Sequence, residues 1–368
     1  MENNKSSNFR FKNLDSIRTI AFLSTFLAHA FYSTDPDVLN SKAFNSAIEF
    51  SQLFSFGVPI FFVLSGFLIS YLMLKEQETN NKFNLGKFYV RRILRIWPVY
   101  YIVIIIGFII FPLVRQYVLH DPYVESANIF YYLTFLSNFD QLNTEALPFG
   151  VGLGPTWSVS VEEQFYLFWP LLLLLFKKKT FIIPILITTF ISIVLTLNYN
   201  LIGKHTIYCL AYLSIGGFYG YLTMYKKDLV VKLTKVSSYL ILAITIALFA
   251  LIYVNINFYH NFLVIALIAL LIGYLITYQC HTDKNELRKI PYLERIGKYT
   301  YGLYLYHVIC NFVVHIIFDD LLKIEDSVVN TLLIKPLFSL TLSLILSYIS
   351  YHYFEQKFLN LKTKFQTL

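Results

Sequence analysis

Ten apolar runs, each near twenty residues and each closed by polar or charged residues, divide the chain at about 14–32, 56–74, 97–114, 160–176, 180–198, 205–224, 236–254, 259–278, 299–318 and 331–354. About twenty residues of α-helix rise ~30 Å, the thickness of the hydrocarbon core of a bilayer. The pattern predicts an all-α, polytopic membrane bundle of about ten transmembrane helices. A further apolar stretch at 127–139 is too short to span and reads as an interfacial or re-entrant helix ahead of Trp157. The second run begins Gly57-Val58-Pro59-Ile60-Phe61 and carries Gly66 and Ser70, small residues that suit close helix packing in lipid.

Charge orients this bundle. With the N-terminus inside, the segments 1–13, 75–96, 177–179, 225–235, 279–298 and 355–368 are cytoplasmic and hold 24 of the 30 Lys and Arg residues. The opposite loops hold the acids, among them Asp35, Asp121, Asp140, Glu145, Asp319 and Asp326. Cytoplasmic loops are rich in Lys and Arg, so ten spans with both termini cytoplasmic fit the alternation. The expected organisation is a cytoplasmic tail at 1–13, a membrane domain at 14–354 and a cytoplasmic tail at 355–368.

Composition agrees. The 368 residues are 57% hydrophobic and 14% charged, with a mean hydropathy of +0.58, whereas soluble domains carry roughly 25% charge. The net charge of +8 would suggest nucleic acid in a soluble protein. Here the basic residues sit in short patches between apolar runs, so the partner they imply is the bilayer and no nucleic acid is expected. Cys209, Cys280 and Cys310 show neither metal spacing nor a disulfide framework, and no metal is expected. Lys5, Arg10 and Lys12 ahead of an apolar run ending Ala28-His29-Ala30 resemble a secretory signal. Asp15 and Arg18 interrupt that run, which favours a retained first helix.

Ionisable groups within spans are costly and point to function. Arg18 and His29 lie eleven residues apart, which places them on one helix face about 16 Å apart along the axis. The bland alternative is an Arg18 paired with Asp15 and a His29 bonded to a neighbouring helix. Arg91, Arg92 and Arg95 precede the third span. Guanidinium groups clamp phosphates bidentately, although from the cluster alone topology signalling and lipid contact are the favoured reading. In Gly154-Pro155-Thr156-Trp157-Ser158-Val159-Ser160-Val161-Glu162-Glu163 two carboxylates open a helix. Ser160 and Glu163 have the spacing of a capping box, which leaves Glu162 as the carboxylate for sugar hydroxyls or for orienting an acceptor. His307 follows four tyrosines in the ninth run and is expected to hydrogen-bond a neighbouring helix. Glu355 ends the last run and is expected to pair with a loop arginine.

These stretches together resemble the acyltransferase 3 family of integral membrane proteins. The matching segments, in the family's order, are LDSIRTIAFLSTFLAHA, GVPIFFVLSGFLIS, FYVRRILRIWPVYY, WSVSVEEQFYLFWP, IGKYTYGLYLYH and YHYFEQKFL, running from residue 14 to about 359. The chain departs from the family pattern at Ser16, Pro59 and Lys357. The resemblance implies a stand-alone membrane O-acyltransferase that moves an acyl group, usually acetyl, from cytoplasmic acyl-CoA to a hydroxyl of a cell-envelope or secreted glycan. It places Arg18 and His29 on the family's helix-1 pair, Arg92 and Arg95 on its arginine pair, and Trp157, Ser158 and Glu162 on its Trp-Ser stretch. The expected roles are catalysis by His29, Arg18 and Glu162, binding of acetyl-CoA by Arg92, Arg95 and Arg18, and acceptor contacts from Trp157, Ser158, Glu163 and His307. His29 would act as general base or carry the acyl group, with Glu162 or Glu163 orienting His29 or the acceptor. Action alone or with a separate extracytoplasmic partner is implied, in the plasma membrane. The rival class is an exporter of a polysaccharide or lipid-linked sugar, which ten helices with buried charges suit equally. No pattern names the acceptor or distinguishes acetyl from longer acyl groups.

Overall fold

The computed structural model describes residues 11, 13–121, 125–144, 150–176, 178–201, 203–233, 240, 243–244, 262–281 and 290–367. All regular structure in this set is helical. In chain order the α-helices are α1 (Leu14–His29), α2 (Pro36–Leu39), α3 (Lys42–Gln52), α4 (Gly57–Asn80), α5 (Leu85–Ile105), α6 (Phe111–Tyr117), α7 (Ile129–Leu133) and α8 (Ser137–Asn143). There follow α9 (Thr156–Leu175), α10 (Ile182–Tyr199), α11 (Thr206–Tyr225), α12 (Lys227–Leu233), α13 (Phe262–His281), α14 (Pro291–Ile296), α15 (Thr300–His315), α16 (Lys335–Ser350) and α17 (Gln356–Thr363).

Helices lie on nine of the ten apolar runs. The run 236–254 falls almost wholly outside the described residues, as do Lys5, Arg10, Lys12 and Glu145. Among the described residues, five helical stretches are long and apolar enough to cross a bilayer: Lys42–Asn80, Leu85–Tyr117, Lys178–Tyr199, Thr300–Leu321 and Asn330–Thr363. The chain is therefore a polytopic membrane helical bundle.

Helix ends depart from the apolar runs because charge marks where lipid stops, not where a helix stops. α4 continues past its apolar run to Asn80, where Asn81 adopts a left-handed conformation (φ 51°) and ends it. α5 starts at Leu85, capped by Asn84, whose side chain accepts from the Lys87 amide at 2.9 Å. Arg91, Arg92 and Arg95 thus stand on the first turns of a helix, where a loop was expected. The stretch at 127–139 is not one short helix but the start of a broken pair, α7 and α8, parted where Phe135 takes a φ of 56°. The last span runs on through a π-helical stretch, Tyr351–Glu355, into α17, which packs along α5.

The sidedness of α16 shows lipid acting as the solvent. Lys335, Ser339, Ser343, Ser347 and Ser350 are buried, while Leu337, Phe338, Ile345, Tyr348 and Ile349 are exposed. Spacings of three and four residues put the serines on one helix face, and that face packs on α15. In water this arrangement would be inside out. In lipid, small polar residues belong at helix interfaces and large apolar ones on the outside. Elsewhere close approach is won with glycine. A Cβ at Gly66 would overlap the Leu213 carbonyl, and one at Gly216 the Val63 carbonyl, so α4 and α11 cross backbone to backbone. Ser70 faces inward as expected and accepts from the Trp169 indole at 2.8 Å.

Polar ties close the acid-rich end. Lys335 pairs with Asp326 and, at 2.5 Å, with Asp319, and Ser33 donates to Asp326 at 2.6 Å.

The serine face gives a direct test. Ser343→Leu overpacks a fully buried position and should lower stability by about 1–3 kcal/mol, read as thermal unfolding in detergent. Ile345→Leu on the outer face should change it little. Equal effects would contradict the assigned faces.

Candidate active site

The arginines of α5 are held by different means. Arg91 pairs with Glu76 at 3.0 Å. Arg92 lies over aromatic rings, its Cζ 5.5 Å from the Tyr166 centroid and 5.6 Å from that of Phe88, a cation–π arrangement. Its Nε is buried without a hydrogen-bond partner among the described residues. Arg95 lies close enough to Arg18, Glu162 and Glu355 for their charges to interact. Arg18 itself pairs with Asp15 at 2.6 Å. Glu355 accepts from Ser350 at 3.1 Å and feels Arg95 only through its charge. The loop-arginine pair expected of Glu355 is therefore not formed among the described residues.

The two carboxylates of α9 part company. The helix starts at Thr156, so Ser160 is interior and its hydroxyl bonds Ser137 at 2.7 Å. The capping box therefore does not form. Glu162 and Glu163 sit about two turns in and, at roughly 100° per residue, face different neighbours. Glu162 accepts from Ser65 at 2.8 Å and from Tyr166, one turn further along, at 2.9 Å. Glu163 accepts from the Trp97 indole at 3.0 Å, and its other oxygen is buried and unanswered among the described residues. Trp157 is half-buried, edge-on to Phe62 with ring centroids 6.0 Å apart. Ser158 is buried and shares a 2.6 Å hydrogen bond with the Tyr304 hydroxyl.

Towards the other end of α1, two imidazoles meet. His29 Nδ1 lies 3.2 Å from His307 Nε2, with ring centroids 5.3 Å apart. His307 is fully buried, and its Nδ1 lies 2.6 Å from the Tyr304 carbonyl. A carbonyl only accepts, so His307 Nδ1 carries the proton and, in the neutral ring, its Nε2 presents a lone pair. His29 must then donate from Nδ1, which leaves His29 Nε2 as a bare lone pair on an exposed ring. Hydrogen-bond logic thus assigns both tautomers. Asn311 steadies the helix end by donating to the His29 carbonyl at 3.0 Å, and Ser339 donates to Asn311.

One string of contacts therefore links three helices: His29 on α1, His307 and Tyr304 on α15, and Ser158 on α9. The charge of Glu162 reaches Tyr304, which ties the string to the arginine end. The partner of His29 is His307, not Glu162 or Glu163. Ser65, Trp97, Tyr166 and Tyr304 belong to the site and were not singled out by sequence. Tyr166 alone carried a signal, since it stands one helical turn after Glu162. Among the described residues no group of three His, Cys, Asp or Glu side chains is placed to hold a metal ion.

A sequence profile described as an acyltransferase domain matches residues 11–352. The chain is 32% identical over 157 residues to the peptidoglycan O-acetyltransferase OatA of Listeria monocytogenes, covering 40% of this chain and 25% of that protein. It is 30% identical over 167 residues to the putative peptidoglycan O-acetyltransferase YrhL of Bacillus subtilis, covering 44% and 23%. It is also 31% identical over 172 residues to a putative O-acetyltransferase of Staphylococcus aureus, covering 45% and 26%. The matched stretch spans about a quarter of the length of these relatives. No solved structure matches.

Trp97→Phe removes the indole donor from a buried carboxylate. It should cost about 1–3 kcal/mol, and a Glu163→Gln change in that background should recover part of the loss. Unchanged unfolding of Trp97→Phe would show that the bond contributes nothing.

Proposed function

Because the chain belongs to the acyltransferase 3 family, we propose that it transfers an acyl group, acetyl foremost, from acyl-CoA at the cytoplasmic side to a hydroxyl of a cell-envelope glycan. Peptidoglycan is the first acceptor to test, since OatA bears that substrate in its name. The plasma membrane is the proposed location, and a separate extracytoplasmic partner for delivery of the product fits the same reading. The observation that carries the proposal is the His29–His307 pair, which leaves an accessible imidazole lone pair on a helix whose other end holds Arg18.

In this reading Arg92 and Arg95, with Arg18, hold the donor's phosphates, and the thioester arm enters the bundle. His29 Nε2 takes the proton of the acceptor hydroxyl as the oxygen attacks the thioester carbonyl. The carbon–sulfur bond breaks, and the proton passes from the imidazolium to the departing thiolate. Imidazole titrates near neutral pH and suits both transfers. His307 is a positioning residue that holds His29 in the required tautomer. Glu162, bonded to Ser65 and Tyr166 and charge-coupled to Arg92, stands between the phosphate-binding end and Tyr304, where it orients the acceptor or the donor arm. Trp157 supplies an apolar face for the sugar, and Ser158 and Glu163 supply polar contacts to the acceptor.

The test is transfer of labelled acetyl from acetyl-CoA to envelope glycan in membranes holding equal amounts of each variant. His29→Ala should lose about 10²–10⁴-fold. His307→Gln should lose about 10–100-fold and shift the pH profile, because the lost partner set the tautomer. Full activity of His29→Ala would remove it from the chemistry.

A further inference from the structure

At the basic end of the bundle, the C-terminal segment lies against the arginines of α5. α17 packs along α5, and the residues after it are tied down. Arg91 donates to the Phe365 carbonyl at 2.8 Å and to the Thr367 hydroxyl at 3.1 Å, and Asn80 donates to the Thr367 carbonyl at 2.7 Å. The latch is itself anchored: Glu76 pairs with Arg91 through one oxygen and accepts from the Asn84 amide at 3.0 Å through the other.

This docking carries Lys362 in among the guanidinium groups. Its ammonium is within charge range of Arg95, Arg92, Arg91 and Arg18. Arg18 and Arg91 are answered by Asp15 and Glu76. Arg92, Arg95 and Lys362 form no ion pair with a described residue, and Arg92 Nε is buried with no acceptor among the described residues. Like charges gathered in a partly buried place repel one another. A lysine that only marked topology would extend into water, yet this one is half-buried towards four arginines. An anion with several charges, placed among them, turns the repulsion into binding and supplies the missing acceptors.

We propose that Lys362, carried by the latched C-terminal helix, binds a phosphate group of the acyl donor together with Arg92 and Arg95. The inference rests on the reading of the donor as an acyl-CoA, whose diphosphate and 3′-phosphate match a multiply cationic site. α17 is then a wall of the donor site, held in place by Phe365 and Thr367.

The experiment is titration of coenzyme A into the full chain in phosphatidylcholine nanodiscs. Lys362→Ala should bind about tenfold more weakly, and Lys362→Arg within about twofold of the wild type. Lys362→Gln serves if the alanine variant does not fold, with folding judged by unchanged thermal unfolding and elution. Repeating the titration with 3′-dephospho-coenzyme A locates the contact. A difference that vanishes puts Lys362 on the 3′-phosphate, and one that persists puts it on the diphosphate; both support the proposal. Wild-type affinity in Lys362→Ala alongside weakened binding in Arg92→Ala would overturn the role of Lys362 and leave the donor reading intact. No binding of coenzyme A by the wild type would defeat the donor reading and this proposal with it. An unchanged coenzyme A affinity in Lys362→Ala, with phosphatidylglycerol co-purifying with the wild type before reconstitution but not with the variant, would assign Lys362 to lipid and overturn the proposal.

Discussion

Lipid offers no hydrogen bonds, so a polar atom that enters the bundle must be answered by another protein atom. The structure follows from that constraint. Tyr100 donates to the Tyr132 carbonyl at 2.8 Å, Gln164 to the Phe135 carbonyl at 2.9 Å and to Asn138 at 2.8 Å, and Trp169 to Ser70. These bonds hold the broken α7–α8 pair against α5 and α9, and α9 against α4. The serine face of α16 is the same rule applied along one helix.

The exceptions are informative for that reason. Setting aside serine and threonine hydroxyls, the unanswered buried side-chain atoms among the described residues belong to Arg92, Arg115 and Glu163. Arg115 still pairs with Asp121 through one terminal nitrogen. Arg92 and Glu163 stand on facing helices at the place where the arginine cluster meets the carboxylates of α9. Leaving a donor and an acceptor unmet in the interior is costly, and a substrate that supplies the partners recovers that cost. The imidazole pair differs in kind. The Tyr304 carbonyl sets the His307 tautomer and, through the contact between the rings, places the Nδ1 proton on His29.

Much of the fold was legible because an apolar run of about twenty residues matches the bilayer core in length and is stable chiefly as a spanning helix. Gly66 and Ser70 were readable as packing residues because lipid-embedded helices approach closely only through small side chains. The boundaries were not readable. The first turns of α5 carry Lys87, Arg91, Arg92 and Arg95, and α17 is largely polar, with Lys357 and Lys362; hydropathy treats such helices as loops. Ser160 and Glu163 misled in the opposite way: the capping spacing was present, but Pro155 and Thr156 start the helix earlier. The site was legible where a charge sits within a span, as with Arg18, His29 and Glu162. It was illegible where the message is a pairing across sequence. His29 and His307 are 278 positions apart, and Tyr304 is one among 29 tyrosines, with nothing local to set it apart.

The account depends most on which ring nitrogen of His29 bears the proton. Nitrogen-15 NMR of histidine-labelled protein in nanodiscs near neutral pH, with His29 assigned by its loss in a variant, reports this directly. His29 should show a protonated Nδ1 and a bare Nε2, with His307 likewise protonated at Nδ1. A His29 signal showing a protonated Nε2 and a bare Nδ1 would contradict it, because the lone pair would then point at His307 and away from any substrate.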